Sequence, residues 1–364
     1  MIPLFDHHPA MASRLPRVPL LKWPTPVFCA ERLGEAINVP GLYVKQDGFS
    51  GAVIGGNKVR KLEFILGRAR ALGARHVLTF GCAGSNHALA TAVHAKTAGM
   101  GATLLLLPQA NARYVRENLL AAHGAGARLV HCRTPLAMSA KTAVEALRAR
   151  RATGAAPFVI PVGGSSPEGV AGFVSAAFEL ARQVEQGLLP EPDEIYLPMG
   201  SMGTAAGLAL GIWAAGLKSR VMAVRVVDPT LANEAGLHLL VRRTSRLLQE
   251  AEPRFPDPPA MARVKIVDGF LGQGYARFTR EGAAAVVLAR ETEGLSLEGT
   301  YTGKTLAALI YRARAGDLSG KTILFWNTHN ARDLSPHVVS RDWRELPRPF
   351  HPYFKELVQP LDRC

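Results

Sequence analysis

Three short stretches of this 364-residue chain combine residues able to do chemistry with the glycines that let backbone approach a ligand closely. In the first, Gly55-Gly56-Asn57-Lys58, a lysine follows two glycines and opens a segment whose Leu62, Ile65, Leu66, Ala69 and Leu72 recur on one helical face. A solvated lysine at a helix start would read the same way, but a cation there opposes the helix dipole, which favours a specific purpose. A desolvated lysine of lowered pKa is what Schiff-base chemistry requires. In the second, Gly84-Ser85-Asn86-His87, serine and asparagine are good helix caps, and capping alone would account for them. The same exposed N–H groups also form a receptor for a carboxylate or phosphate. His87 heads that helix, a place where a lone histidine is more often structural than catalytic.

The third stretch is Gly200-Ser201-Met202-Gly203-Thr204-Ala205-Ala206-Gly207. Its small residues let the backbone surround an anion, and the hydroxyls of Ser201 and Thr204 add donors. It is not a Walker A loop, since no Lys-Ser/Thr pair follows, nor a dinucleotide GxGxxG, nor a Gly-x-Ser-x-Gly nucleophile elbow. An imine-forming lysine and a phosphate cradle together point to a cofactor that carries both an aldehyde and a phosphate. Pyridoxal 5'-phosphate is the obvious candidate.

These loops need strands and helices to hold them, and the hydrophobic pattern supplies both. It predicts strands at 76–81, 102–108, 127–132, 157–162, 194–199, 220–227 and 321–327. Helices are predicted at 86–99, 112–123, 138–152, 168–187, 203–216, 279–293 and 303–315. Strands without polar alternation, each followed by a helix, indicate an α/β protein with parallel sheets covered on both faces. Ligands in such folds sit beyond the carboxyl ends of strands, where the second and third loops fall. Residues 239–259, a basic helix from Val241 to Leu248 followed by a Pro-rich loop ending at Pro259, read as a linker or surface excursion. The tail from Arg341 is rich in Pro, Arg and aromatic residues without clear periodicity.

Composition narrows the class further. With 48% hydrophobic and 20% charged residues the chain is neither disordered nor highly charged. The balance of 43 − 29 = +14 admits nucleic acid, an anionic membrane or merely an Arg-rich surface. The basic residues are dispersed and not interleaved with aromatics, so no nucleic-acid partner is expected. Cys29, Cys82, Cys132 and Cys364 show neither metal-ligand spacing nor a disulfide framework, so no metal is expected and a reducing cytoplasm is. Residues 1–17 lack a secretory h-region and no apolar run reaches the ~18–20 residues of a membrane helix, so a soluble, cytoplasmic protein is expected.

The run Gly55 to Glu63 (GGNKVRKLE) resembles the lysine segment of the D-cysteine desulfhydrase / 1-aminocyclopropane-1-carboxylate deaminase family. These are pyridoxal-phosphate enzymes of the tryptophan-synthase-β type, fold type II. The order of the other motifs is similar too. Pro24-Thr25-Pro26 and Leu42-Tyr43-Val44-Lys45 precede the lysine, and Gly84-Ser85-Asn86-His87 and the loop at 200–207 follow. Gly274-Tyr275, Tyr301-Thr302-Gly303-Lys304 and Phe325-Trp326-Asn327-Thr328 come later, so the resemblance spans roughly residues 16–335.

That resemblance implies two open parallel-type sheets flanked by helices. It also implies a large cofactor-binding domain of residues 1–61 and 164–364, a small domain of 62–163 inserted in it, and a homodimer. By the same resemblance Lys58 is the Schiff-base lysine and proton carrier, and Ser85 grips the substrate carboxylate near the reacting carbon. Asn86 meets the cofactor's phenolic oxygen. Gly200, Ser201, Met202, Gly203 and Thr204 hold the phosphate. Tyr275 and Tyr301 act as acid, base or orienting groups on the substrate side, where this chain's own Asn86, His87 and His329 are also expected. Thr328 faces the pyridine nitrogen. A hydroxyl there, unlike an aspartate, does not keep that nitrogen protonated, which favours β-elimination over transamination.

The implied activity is α,β-elimination from a small amino acid to a 2-oxo acid and ammonia. Deaminase-type opening of a cyclopropane amino acid, β-replacement and non-catalytic metabolite binding are the alternatives. The deaminase branch carries a glutamate after the second tyrosine, where this chain has Thr302. The chain also departs from the family by having His329-Asn330 in place of two glycines, Thr300 in place of Pro, and Ala83-Gly84 in place of Ile-Gln. The larger side chains at 329 and 330 are expected at the pocket rim, leaving the substrate's identity open.

Overall fold

The computed structural model describes residues 2–258, 263–338 and 341–362; Pro259 and Cys364 lie outside them. Two sheets organise the chain. The smaller has the order β5-β4-β3-β6, from β3 (His76–Cys82), β4 (Gly101–Leu107), β5 (Arg128–His131) and β6 (Phe158–Ile160), all parallel. The larger has the order β1-β2-β10-β7-β8-β9. Its members are β1 (Val27–Cys29), β2 (Leu42–Gln46), β7 (Glu194–Met199), β8 (Arg220–Arg225), β9 (Val264–Val267) and β10 (Ile323–Asn327). All its pairings are parallel except β1 with β2, an antiparallel edge that the sequence pattern does not announce.

Burial explains the strand pattern. Every residue of β7 and of β10 is buried, because helices cover both faces of the larger sheet. Helices Pro167–Glu185 and Gly203–Ala214 pack unusually close on one face. A β-carbon on Gly207 would lie 2.4 Å from Phe173 Cβ, and one on Gly211 would lie 2.6 Å from Ala177 Cβ. Those glycines therefore set the distance at which the helix behind the third loop is held.

Two readings change. Residues 234–251 form one helix that buries Leu237, Leu240, Val241, Leu248 and Ala251 in the core of the larger sheet. The arginines that made it look like an excursion, Arg242, Arg243 and Arg246, lie on its exposed face. The tail is likewise packed: Leu346 and Phe350 are buried in the core of the smaller sheet, although short 3-10 turns replace any periodic element. Among the described residues no helix is long and apolar enough to cross a membrane, and no cluster of three His, Cys, Asp or Glu could hold a metal ion.

Candidate active site

The loops that follow β3, β7 and β10 face one another across a cavity of about 570 Å³. Lys58, Ser85, Asn86, His87, Gly200, Ser201, Met202, Gly203, Thr204, Tyr275, Tyr301, Thr328 and His329 all line it, so the structure brings every expected site residue together. Glu298 joins them. A second cavity of about 410 Å³ adjoins the first, sharing Lys58, Asn86, Thr328 and His329.

Lys58 is the first residue of helix Lys58–Ala71. The turn before it needs glycine twice. A β-carbon on Gly55 would sit 1.8 Å from the Gly48 carbonyl oxygen, and Gly56 has φ +89 against the Thr328 carbonyl. The Asn57 N–H donates to that same carbonyl at 3.1 Å, and the Gly55 N–H to Asn330 Oδ1 at 2.7 Å. Asn330 is thus a strut for the lysine turn as well as a lining residue of the adjoining cavity. Desolvation pushes Lys58 down to about 8, so an appreciable fraction is the nucleophilic free amine near neutrality.

Beneath this turn lies a buried ion network. Arg60 donates to Asp47 at 2.7 Å and to Glu179 at 2.9 Å, Lys45 to Glu179 at 2.5 Å, and the Trp326 indole N–H to Asp47 at 2.8 Å. It ties the lysine helix to β2, β10 and helix Pro167–Glu185, fixing Lys58 relative to Thr328.

Lys61, one turn after Lys58, was present in the motif but its role was not legible there. It is 1% exposed, and among the described residues no carboxylate pairs with it; its Nζ donates to Gly163 O at 3.1 Å and Ser165 Oγ at 3.3 Å. Desolvation, and then Lys58, hold its pKa well below the ordinary lysine value. A β-carbon on Gly203 would stand 2.6 Å from that Nζ. Met202 there adopts φ +64 and leaves helix Gly203–Ala214 without a side-chain cap. Ser85, Thr134, Ser166, Asn233 and Thr279 each cap a helix of their own. The Gly203 N–H is taken by Ser201 O at 2.8 Å and Ser165 Oγ at 3.2 Å, so an anion here would meet the desolvated Lys61 amine and the other N–H groups of the loop. The donor set therefore fits a phosphate, and Lys58 fits the aldehyde of the same molecule.

The opposite wall carries the polar side chains. Ser85 Oγ accepts the Ala88 N–H at 3.2 Å, so capping is part of its work. Asn118 Nδ2 donates to Asn86 Oδ1 at 2.9 Å, leaving the Asn86 N–H₂ as the donor for the cavity. His87 is buried, and its Nε2 lies 2.9 Å from Thr79 Oγ1. Thr79 in turn donates to Ile160 O at 3.2 Å, so Nε2 must carry the proton and Nδ1 is a bare, unpartnered acceptor. Desolvation, then Lys58 and Lys61, hold His87 well below its ordinary pKa, hence neutral.

The Tyr275 and Tyr301 hydroxyls are 2.6 Å apart. Desolvation raises both pKa values, most for Tyr275, so both phenols keep their protons. Glu298, unnoticed in the sequence, accepts the N–H groups of Thr300, Tyr301 and Thr302 at 2.7, 2.7 and 3.0 Å and so anchors Tyr301 at its helix start. His329 keeps Nδ1 buried without a partner, and desolvation lowers its pKa.

A buried lysine of lowered pKa set beside an anion cradle, between two largely parallel sheets, is the arrangement expected of a pyridoxal-phosphate enzyme. Residues 18–329 match the family described as "Pyridoxal-phosphate dependent enzyme", and the chain belongs to it, with pyridoxal 5'-phosphate as cofactor. It is 38% identical over 327 residues to nocardicin C-9' epimerase of Nocardia uniformis, covering 88% of this chain and 94% of that one. It is 32% identical over 302 residues to D-cysteine desulfhydrase of Klebsiella pneumoniae, covering 82% and 88%. A crystal structure of an ACC deaminase homologue superposes with a TM-score of 0.76 at 31% identity, covering 88% and 93%.

Proposed function

We propose that this protein is a pyridoxal-phosphate-dependent lyase that eliminates a β-substituent from a small amino acid, releasing a 2-oxo acid and ammonia, in the manner of D-cysteine desulfhydrase. The observation that carries this reading is the shared cavity, in which Lys58 faces a pair of protonated tyrosines. Bound there, the cofactor supplies an imine linkage and an electron sink for the carbanion. Its phosphate is held by Lys61, Thr204 and the main chain of 200–204, and its phenolic oxygen by Asn86. Thr328, a hydroxyl at the end of β10, is the group for the ring nitrogen. Ser85 and the helix start behind it orient the substrate carboxylate. Lys58 Nζ takes the α-proton, and Tyr301 or Tyr275 returns a proton to the leaving group. His87 and His329 bound the side-chain space.

Thr302 spends its hydroxyl on the Glu298 backbone, with the Glu298 N–H donating to it at 2.9 Å, and this supports elimination over cyclopropane opening. A second reading, inversion at the α-carbon, is favoured by the 38% identity to an epimerase. We further propose a cytoplasmic homodimer with a large domain of 1–61 and 164–364 and a small domain of 62–163. The confinement of the smaller sheet to residues 76–160 supports that division, although helix Lys58–Ala71 runs through residue 61.

The test is a screen of D- and L-amino acids for 2-oxo acid release, with wild type and Lys58→Ala. Release by the wild type, with loss of both activity and a borohydride-reducible yellow band in the variant, is expected. Inversion without 2-oxo acid would favour the second reading. A variant that keeps the reducible band overturns the role of Lys58.

A further inference from the structure

The chain beyond residue 329 lies outside the family match, yet it grips both walls of the cavity. On the side of the smaller sheet, the Tyr353 hydroxyl accepts the Gln109 N–H at 2.9 Å. The Tyr353 carbonyl accepts from Asn111 Nδ2 at 2.9 Å and Arg116 Nε at 2.7 Å, and the Gln359 N–H donates to Asn111 O at 3.0 Å. Gln109 Oε1 in turn accepts the Gly84 N–H at 2.8 Å, next to Ser85. From this anchorage the Gln359 carboxamide reaches the opposite wall. Its Oε1 accepts the Phe278 N–H at 2.8 Å and its Nε2 donates to Ala276 O at 3.1 Å.

That contact falls just after a glycine-rich turn. Gly269, Gly272 and Gly274 all have positive φ, and Lys304 Nζ donates to Leu271 O at 2.7 Å and Gly274 O at 3.5 Å, which ties the approach to Tyr275 to helix Thr302–Arg314. Ala276, immediately after Tyr275, has φ +59, a left-handed conformation that a residue with a β-carbon keeps only where its surroundings impose it. Gln359 clasps the carbonyl of that residue and the N–H two positions on.

We propose that Gln359 is a positioning residue. Its carboxamide holds Ala276 in the left-handed turn and thereby aims the Tyr275 hydroxyl at Tyr301 and the cavity. The inference rests on the reading that Tyr275 serves the reaction. It makes the tail part of the site's geometry without bringing it into contact with substrate.

A double-mutant cycle of Gln359→Ala and Tyr275→Phe tests it, assayed on the amino acid found in the screen above, with amide hydrogen exchange of residues 272–279 measured alongside. The expected result is a loss of about tenfold or more in kcat for Gln359→Ala, with KM changed far less, since misplacement of an acid group costs the transition state. In the Tyr275→Phe background the same change costs nothing more. Exchange at Phe278 quickens whether or not substrate is present. Gln359→Met, which keeps the bulk without the amide, is read in the same way if the alanine variant folds poorly. An impaired Tyr275→Phe beside wild-type kcat in both Gln359 variants overturns the inference and leaves the reading of Tyr275 intact. A fully active Tyr275→Phe overturns that reading. Additive losses, or unchanged exchange at Phe278, overturn the clasp.

Discussion

Lys61 Nζ stands 2.6 Å from the place a β-carbon on Gly203 would occupy, buried and without a carboxylate among the described residues. Charging an amine in that position is costly in the protein without cofactor and becomes favourable once an anion arrives.

Lys61→Met should therefore weaken pyridoxal-phosphate binding by about ten- to a hundredfold, the worth of a charge-assisted hydrogen bond. Fold stability without cofactor should hold or rise. Fluorescence titration of the apoprotein, paired with its thermal melting curve, checks both. Unchanged affinity would remove Lys61 from the phosphate site.

The Lys58 value near 8 gives a pH dependence whose sign follows from the reacting form. Only the free amine attacks an aldehyde, so reconstitution of apoprotein should quicken about tenfold per pH unit on the acid side and level off above the pKa. Stopped-flow growth of the cofactor band across that range is the measurement. A profile still climbing toward an ordinary lysine pKa would show that the amine is not desolvated.

Glu179 is buried between Arg60 and Lys45. Desolvation pushes its pKa up, but Arg60 and then Lys45 outweigh it and hold the carboxyl well below the usual range. A depressed folded-state pKa means the stabilisation is fully present above the unfolded value of ~4.3 and drains away as pH falls below it. Glu179→Gln leaves two buried cations short of a partner and should cost about 3–5 kcal/mol, read by denaturant unfolding near neutral pH. A loss below about 1 kcal/mol would mean the network relaxes around the amide.

What the sequence discloses follows the range of the interactions involved. The strands 194–199 and 323–327 are legible because complete burial leaves the apolar runs Ile195–Met199 and Ile323–Trp326. The three glycine loops are legible because glycine reports local backbone geometry, as Gly55 and Gly56 do against Gly48 and Thr328. β2 is obscured by Lys45, whose partner Glu179 lies 134 residues away. β1 is only three residues long, too short to carry a period. Asn118, Glu298 and Gln359 acquire meaning only from partners that the fold delivers. The same holds for Asn330, which reads as a bulky intrusion at the rim and is found holding the Gly55 N–H.

The place of β10 in its sheet has a consequence for the timing of biosynthesis. It lies between β2 and β7, although its residues, 323–327, are the last strand to be made. A nascent chain can complete the smaller sheet once residue 160 has left the ribosome. The larger sheet, by contrast, keeps a gap at its centre until nearly the whole polypeptide is out. Thr328 follows that strand directly, so the cavity it lines closes last, and a chain cut short before that strand lacks one of the cavity's walls.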